Sequence, residues 1–391
     1  MSNITERLRG HFELQNGTSR NLAMEGLRGI AVTLVFLVHY HSVLTPWMAG
    51  VEGWGSDFGR AMRFAGAAGV DLFFVLSGYL IYGATLSARF SWGGFMRRRL
   101  QRIYPTFLVL LTIYLGLSFL IPSESKLPPG AAEASFYVLQ NVLLLPGMFA
   151  IKPIITVAWS LSYEMFFYLA LPLLMVALKL REQDRGRRLG VFALLSAMII
   201  ALPLLGFGHV QFLLFIAGMA MHELRERVRV TQEGRGGRLL NPLSTLLALG
   251  ALPVSWWAFQ AVRAAGAAES TAFVARTVWL TVAFAVVVSV VLTGRGPVAR
   301  LCRWTPLRWL GNMSYSYYLL HGLILKAFSL VALTVIGRGA HPLLFWALLP
   351  IAFVLTLAAS GVLFAWVEKP FSLGGRMPWA VWRARTEPRG A

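Results

Sequence analysis

Long apolar runs interrupted by bursts of arginine decide what this chain can fold into. A helix needs roughly 17 to 25 mostly apolar residues to cross a bilayer. Ten stretches reach or approach that length: 28–46, 66–86, 103–121, 157–178, 189–205, 209–223, 243–260, 272–292, 310–333 and 343–367. The pair 189–205 and 209–223 is short and nearly continuous, so a tight hairpin about Gly206-Phe207-Gly208 is expected. The apolar piece Phe136–Leu145 is too short to cross and ends at Pro146-Gly147, which suits an interfacial or re-entrant segment. The expected fold class is an all-α polytopic membrane protein of about ten transmembrane helices. Its parts are a cytosolic N-terminal segment (1–27), a transmembrane domain (28–372) and a basic cytosolic tail (373–391).

Charge tests that span list. Only 14% of the residues are charged and 57% are apolar, too little charge for a soluble surface of this size. A net charge of +19 would suit nucleic acid, but the basic residues lie on no single face or tail. They fall between the apolar runs. Assigning alternate loops to one side, beginning with the N-terminus, gathers 28 of the 36 basic residues there. Seven fall opposite (Arg60, Arg63, Lys126, Lys152, Arg263, Arg276 and Arg338), and Lys326 lies inside a span. Basic residues concentrate in cytoplasmic loops, so both termini are expected inside. The first 27 residues carry no cleavable signal pattern. The single cysteine, Cys302, sits among Arg300, Arg303 and Arg308, and offers neither a disulfide nor a metal or redox motif. No internal repeat of the transporter kind is visible.

Ionisable groups near a bilayer centre cost about 2.5 to 3.5 kcal/mol each, so each needs a reason. Here they are His39, His41, Asp71, Glu164, His321 and Lys326. Either they satisfy one another inside a bundle or they line a functional cavity. Arg28 and His39 are eleven steps apart, nearly one face of a helix, with a rise of about 16 Å. A fixed cation at the inner mouth with a titratable base deeper along the same face could form a channel wall; Arg28 could equally be a topology anchor. Ser160, Glu164 and Tyr168 recur every four residues and share a face. Ser314, Tyr317 or Tyr318, and His321 make another polar stripe, which brings imidazole and carboxylate groups to one layer. Asp71 and Gly78 face the same way, and small Ser77 and Gly78 permit close helix contact, so packing is their first reading. Arg97, Arg98, Arg99 and Arg102 follow the second span as membrane-surface anchors or an anion site. The tryptophans, such as Trp256, Trp257 and Trp366, suit an interfacial belt or the core.

Several motifs in order then resemble the membrane-bound acyltransferase family 3, bacterial O-acyltransferases of surface polysaccharides and macrolides. They are Glu25-Gly26-Leu27-Arg28-Gly29-Ile30-Ala31 with His39, then Gly69-Val70-Asp71 through Ser77-Gly78-Tyr79. Arg98-Arg99-Leu100-Gln101-Arg102-Ile103-Tyr104-Pro105 and Trp159-Ser160-Leu161-Ser162-Tyr163-Glu164 follow. The last are Leu310-Gly311-Asn312 through Tyr317-Tyr318-Leu319-Leu320-His321, and Glu368-Lys369-Pro370. The resemblance covers residues 20–372. It implies a ten-span domain, a cytosolic acyl-CoA donor (acetyl-CoA first) as co-substrate with no permanently bound cofactor, and a hydroxyl acceptor at the outer side. That acceptor is a saccharide, glycolipid or small molecule. The implied location is the bacterial cytoplasmic (inner) membrane. Some members carry a further hydrolase-like domain; a chain ending at 391 would complete transfer alone or with a separate partner.

The chemistry expected on this basis puts acyl-CoA phosphates on Arg99 and Arg102, aided by Arg98 and Arg28. His39 acts as general base on the acceptor hydroxyl, or as nucleophile through an acyl-imidazole. Glu164 would fix the imidazole tautomer, as the acid of a catalytic triad does. Asp71, Ser77, Tyr79, Trp159, Tyr317 and His321 are supporting residues. No metal-ligand cluster or phosphate-binding glycine loop is apparent. The competing reading is a proton-coupled transporter or flippase using His39, Glu164 and His321 as a relay.

Overall fold

The computed structural model describes residues 10–13, 21–45, 54–337 and 343–373; the expected tail, Arg338 and most of the N-terminal segment lie outside them. The described part is built of helices, with one isolated bridge between Pro146 and Phe149. In chain order the helices are α1 (Leu22–Leu44), α2 (Trp54–Leu86), α3 (Trp92–Leu120), α4 (Ala131–Val142), α5 (Trp159–Ala177), α6 (Arg185–Leu204) and α7 (Phe212–Glu233). There follow α8 (Gly237–Ala264), α9 (Glu269–Leu292), α10 (Gly296–Cys302), α11 (Thr305–Asn312), α12 (Ser314–Ile336) and α13 (Leu343–Leu363). The last continues as a π-helical stretch, Phe364–Leu373.

Among the described residues nine helices are long and apolar enough to cross a membrane, one fewer than expected. The difference is α7. The expected span 209–223 runs on to Glu233 through Glu223, Arg225, Glu226 and Arg227, which dilutes its apolar content. Its acid is answered inside the bundle: Glu223 pairs with Arg188 at 3.0 Å and accepts from the Tyr82 hydroxyl at 2.6 Å. The hairpin before it forms as expected, with Gly206 (φ 86°) and Gly208 (φ 76°) taking the left-handed conformation that only glycine adopts freely.

α1 begins earlier than its apolar run. Asn21 caps it, its Oδ1 accepting from the Ala23 amide at 3.0 Å while its Nδ2 donates to the Leu292 carbonyl at 2.7 Å. The polar first turns are buried because glycines let backbones touch. Gly26 meets the Cys302 carbonyl, Gly29 the Leu307 carbonyl, and Gly311 the Glu25 carbonyl, all closer than any Cβ would allow. Two expectations change with this. Arg28 lies about 9 Å into the helix rather than at its mouth. Arg308, expected in a loop, is buried on α11 and bonded to Glu25 at 3.1 Å and Glu13 at 2.8 Å.

Similar contacts seat α2. Gly66 and Gly69 abut the Leu34 and Ala31 carbonyls of α1, while Gly78 and Gly218 bring α2 and α7 together. Arg276, counted above as an outer-loop charge, is instead inside α9 and buried, paired with Asp71 of α2 at 2.9 Å. Removing either partner would strand a buried charge, which is far costlier than the pair. The arginine run expected in a loop forms the first turns of α3, which carries Pro105 in its interior. The expected span starting at 310 breaks at Met313, between α11 and α12.

α4 is re-entrant relative to its neighbours. It follows the far end of α3 and descends beside it until the Tyr104 hydroxyl donates to the Val142 carbonyl at 3.0 Å. Tyr104 lies roughly 24 Å below the end of α3. The chain reverses through Leu144 (φ 55°) and Gly147 (φ 97°) and climbs to α5. Asn141 holds the reversal, its Oδ1 accepting from the Ile154 amide at 2.8 Å.

Candidate active site

Two cavities lie back to back between α1, α3, α5 and α12. The first, about 180 Å³, faces the side on which α1 and α3 begin, and is lined by Arg28, Arg99, Arg102, Ser77, Glu164 and Tyr168, with Tyr315 and Tyr318 above. The helical path of 92–120 explains the selection of arginines. Positions 99 and 102, three apart, share a face, whereas Arg98 turns away and is exposed. Arg98 therefore does not line this cavity, contrary to the expectation that grouped it with the donor site.

The two lining arginines are held differently. Arg102 donates to Glu368 Oε1 at 2.6 Å, and Glu368 Oε2 accepts from the Ser316 amide at 2.9 Å and hydroxyl at 2.6 Å. Arg99 rests on aromatic faces, 5.3 Å from the Phe95 ring and 5.7 Å from Tyr168, and its buried Nε has no hydrogen-bond partner among the described residues. Glu164 takes the remaining polar groups: Ser77 donates to Oε1 at 2.9 Å and Tyr168 to Oε2 at 2.8 Å. With Arg102 balanced by Glu368, and one acid facing Arg28 and Arg99, the cavity keeps a positive excess suited to an anion.

The second cavity, about 480 Å³, opens toward the other side and contains His39, Ser42, Tyr114, Ser118 and Thr156. Its rim carries Glu124 and Lys326, bonded at 3.0 Å, and Lys126. Lys326, expected inside a span, thus reaches a partner at the cavity mouth. Lys126 donates to the Pro153 and Ile154 carbonyls (3.1 and 2.9 Å) and to Thr156 Oγ1 (3.0 Å), pinning the strap before α5. Partial burial lowers its pKa below the ordinary lysine value.

Each central imidazole is oriented by its own helix. His39 Nδ1 lies 2.9 Å from the Val35 carbonyl, and His321 Nδ1 lies 3.2 Å from the Tyr317 carbonyl. A carbonyl only accepts, so in the neutral form of each ring Nδ1 carries the proton and Nε2 the lone pair. This corrects the role expected for Glu164. The acid lines the other cavity, and the Val35 carbonyl sets the His39 tautomer. The rings meet edge to face with centroids 4.7 Å apart. His321 is fully buried, and its Nε2 has no partner among the described residues.

The remaining expected residues divide. Ser77 joins the arginine cavity through Glu164, while Asp71 is tied to Arg276. Tyr79 faces His222, with ring centroids 5.1 Å apart, and Trp159 packs on Tyr163 and Phe74. Tyr317 is buried behind His321 against Phe36 and Phe353. His41 is buried against Phe345. Sequence reasoning assigned nothing to Glu368, although its Glu-Lys-Pro motif was visible, and it missed Lys126 and Glu124 as rim groups because both lie outside the spans.

A family model described as an acyltransferase domain matches residues 21–365, most of the chain. The chain belongs to this acyltransferase family. The matched region contains every residue that lines the two cavities; Glu368, the buried partner of Arg102, lies just beyond it. The O-acetyltransferase OatA of Staphylococcus aureus (strain NCTC 8325 / PS 47) is 31% identical over 176 residues, 42% of this chain and 26% of that protein. OatA of strain COL matches with the same figures. The chain therefore covers about a quarter of the length of these curated relatives. No solved structure matches.

Proposed function

We propose that the protein is a membrane O-acyltransferase that moves an acyl group, acetyl first, from acyl-CoA to a hydroxyl of a saccharide or related acceptor. The arginine cavity takes the donor and the histidine cavity takes the acceptor. The observation that carries this reading is the pairing itself: a cationic cavity and an imidazole-bearing cavity meet within one bundle, from opposite sides. The charge asymmetry of the loops supports a cytosolic arginine side in a bacterial cytoplasmic membrane. The acetyl group and the oxygen acceptor follow the name of the relatives.

In this mechanism the donor phosphates bind around Arg99 and Arg102, with Arg28 on the same cavity wall, and the pantetheine arm carries the thioester toward α12. His39 Nε2 removes the proton from the acceptor hydroxyl as its oxygen attacks the thioester carbonyl. The C–S bond breaks, and the proton passes to the departing CoA sulfur. The Nδ1–H bond to Val35 holds the base in its reactive tautomer throughout. Ser42, Ser118 and Thr156, with Glu124 and the two lysines at the rim, give the acceptor cavity donors and acceptors suited to a polyol.

The deciding experiment supplies the purified protein with acetyl-CoA labelled in the acetyl group. Release of CoA, with label passing to added saccharide or to envelope glycans, is the expected result. A transporter or flippase would consume no thioester, and that outcome would overturn the reading.

A further inference from the structure

We propose that Tyr318 is the partition between the two cavities, keeping the thioester from water on the acceptor side and limiting the acyl chain to a short one. The inference rests on the acyl-CoA reading above and adds a residue to it.

Four contacts place the ring in that position. Tyr318 lines the arginine cavity, and its hydroxyl donates to the Val157 carbonyl at 2.8 Å while lying 2.7 Å from Ser160 Oγ. Ser160 lines the arginine cavity, whereas Val157 lines the histidine cavity. One phenol is thus bonded to the single turn that lines both cavities. Its ring stands 6.0 Å from that of His321, which contacts His39. Phe73 also packs against it, edge to face at 6.2 Å. A path from Glu164 and Ser160 to His39 therefore passes the Tyr318 ring.

Two consequences follow. A thioester below a closed ring is shielded, so hydrolysis stays slow without acceptor. In that leak, water oxygen bonds to the carbonyl carbon and the C–S bond breaks. One water proton passes by way of His39 to the sulfur, leaving carboxylic acid and CoA thiol. With the ring in place the inner end of the arginine cavity, about 180 Å³ in all, offers an acyl group little depth, whereas without the ring it would join the larger chamber of about 480 Å³.

The test uses the full-length protein in nanodiscs, without acceptor, and follows CoA release from acetyl-CoA and octanoyl-CoA. Tyr318→Ala is expected to raise acetyl-CoA hydrolysis at least tenfold and to make octanoyl-CoA a substrate. Should that variant not accumulate, Tyr318→Phe keeps the ring, frees it from Val157 and Ser160, and is expected to raise hydrolysis severalfold. A second readout needs no donor. It uses a background carrying Cys302→Ala and Leu161→Cys, whose introduced thiol lines the arginine cavity. A membrane-impermeant maleimide applied from the Lys126 side of sealed vesicles should reach that thiol only when Tyr318 is also replaced by Ala or Phe. Unchanged hydrolysis, chain preference and labelling would overturn the partition. Failure of the wild type to bind acetyl-CoA would instead sink the acyl-CoA reading, while the labelling still tests the barrier.

Discussion

His39 and His321 stand edge to face, 4.7 Å between centroids, each with Nδ1 on the carbonyl four residues back in its own helix. Of the two, His39 lines the larger cavity and His321 is buried behind it. If His39 is the base, His39→Ala should lower transfer by about 10² to 10⁴-fold with folded yield and donor affinity unchanged. Because the rings touch, their effects should not add: His39→Ala with His321→Ala should be no slower than His39→Ala alone. Steady-state CoA release checks both statements. Substantial activity in His39→Ala would remove this imidazole from the chemistry.

Arg99 and Arg102 should separate in a stability measurement. Both line the arginine cavity, but only Arg102 neutralises buried Glu368. Arg102→Ala should cost about 3 to 5 kcal/mol, since it strands that carboxylate. The pair Arg102→Met with Glu368→Gln should recover most of this without recovering donor binding. Arg99→Ala should weaken acetyl-CoA binding with little change in thermal stability. Equal melting shifts for the two single variants would contradict the assignment.

What the sequence revealed and what it hid follow a physical division. Apolar length gives spans, and helical spacing put Arg28 with His39, and Ser160 with Glu164 and Tyr168, on shared faces. The re-entrant α4 was readable because its apolar run is too short to cross and ends at Pro146-Gly147. Pairing across helices was not readable. Whether Glu164 faces His39 or Ser77 depends on helix rotation, which glycine contacts such as Gly26 against Cys302 and Gly78 against Phe215 set. Charge counting misplaced Arg276 for the same reason: a buried arginine opposite Asp71 looks like a loop cation until its partner is located. The expected span 209–223 looks more apolar than α7 because the helix runs on into exposed Arg225, Glu226 and Arg227, and because Glu223 alone turns inward, where Arg188 and Tyr82 meet it.

Glu164→Gln tests the correction to the triad expectation. An amide can still accept from Ser77 and share a hydrogen bond with Tyr168, so the fold should persist. The negative charge facing Arg28 and Arg99 disappears, so acetyl-CoA should bind more tightly, with KM falling severalfold. The His39 tautomer, set by Val35, should be untouched. A loss of kcat near that of His39→Ala, with unchanged KM, would restore the acid as partner of the imidazole.

Cys302 should be chemically silent in the folded protein. It is the only cysteine, lies fully buried at the end of α10, and its carbonyl is packed against Gly26 of α1. Burial pushes its pKa up to about 12. At pH 8 a thiol so placed holds about one thiolate in 10⁴, against roughly a quarter for an ordinary cysteine. Since the thiolate is the nucleophile, a maleimide at pH 8 should leave the native protein unmodified for hours and add one equivalent once detergent denaturation opens it. Gly26→Ala should reverse this, because its methyl group would strike the Cys302 backbone and force α10 away from α1. Rapid labelling of the native wild type would mean that this packing does not exist in the membrane, and with it the seat that holds Arg28 in the arginine cavity.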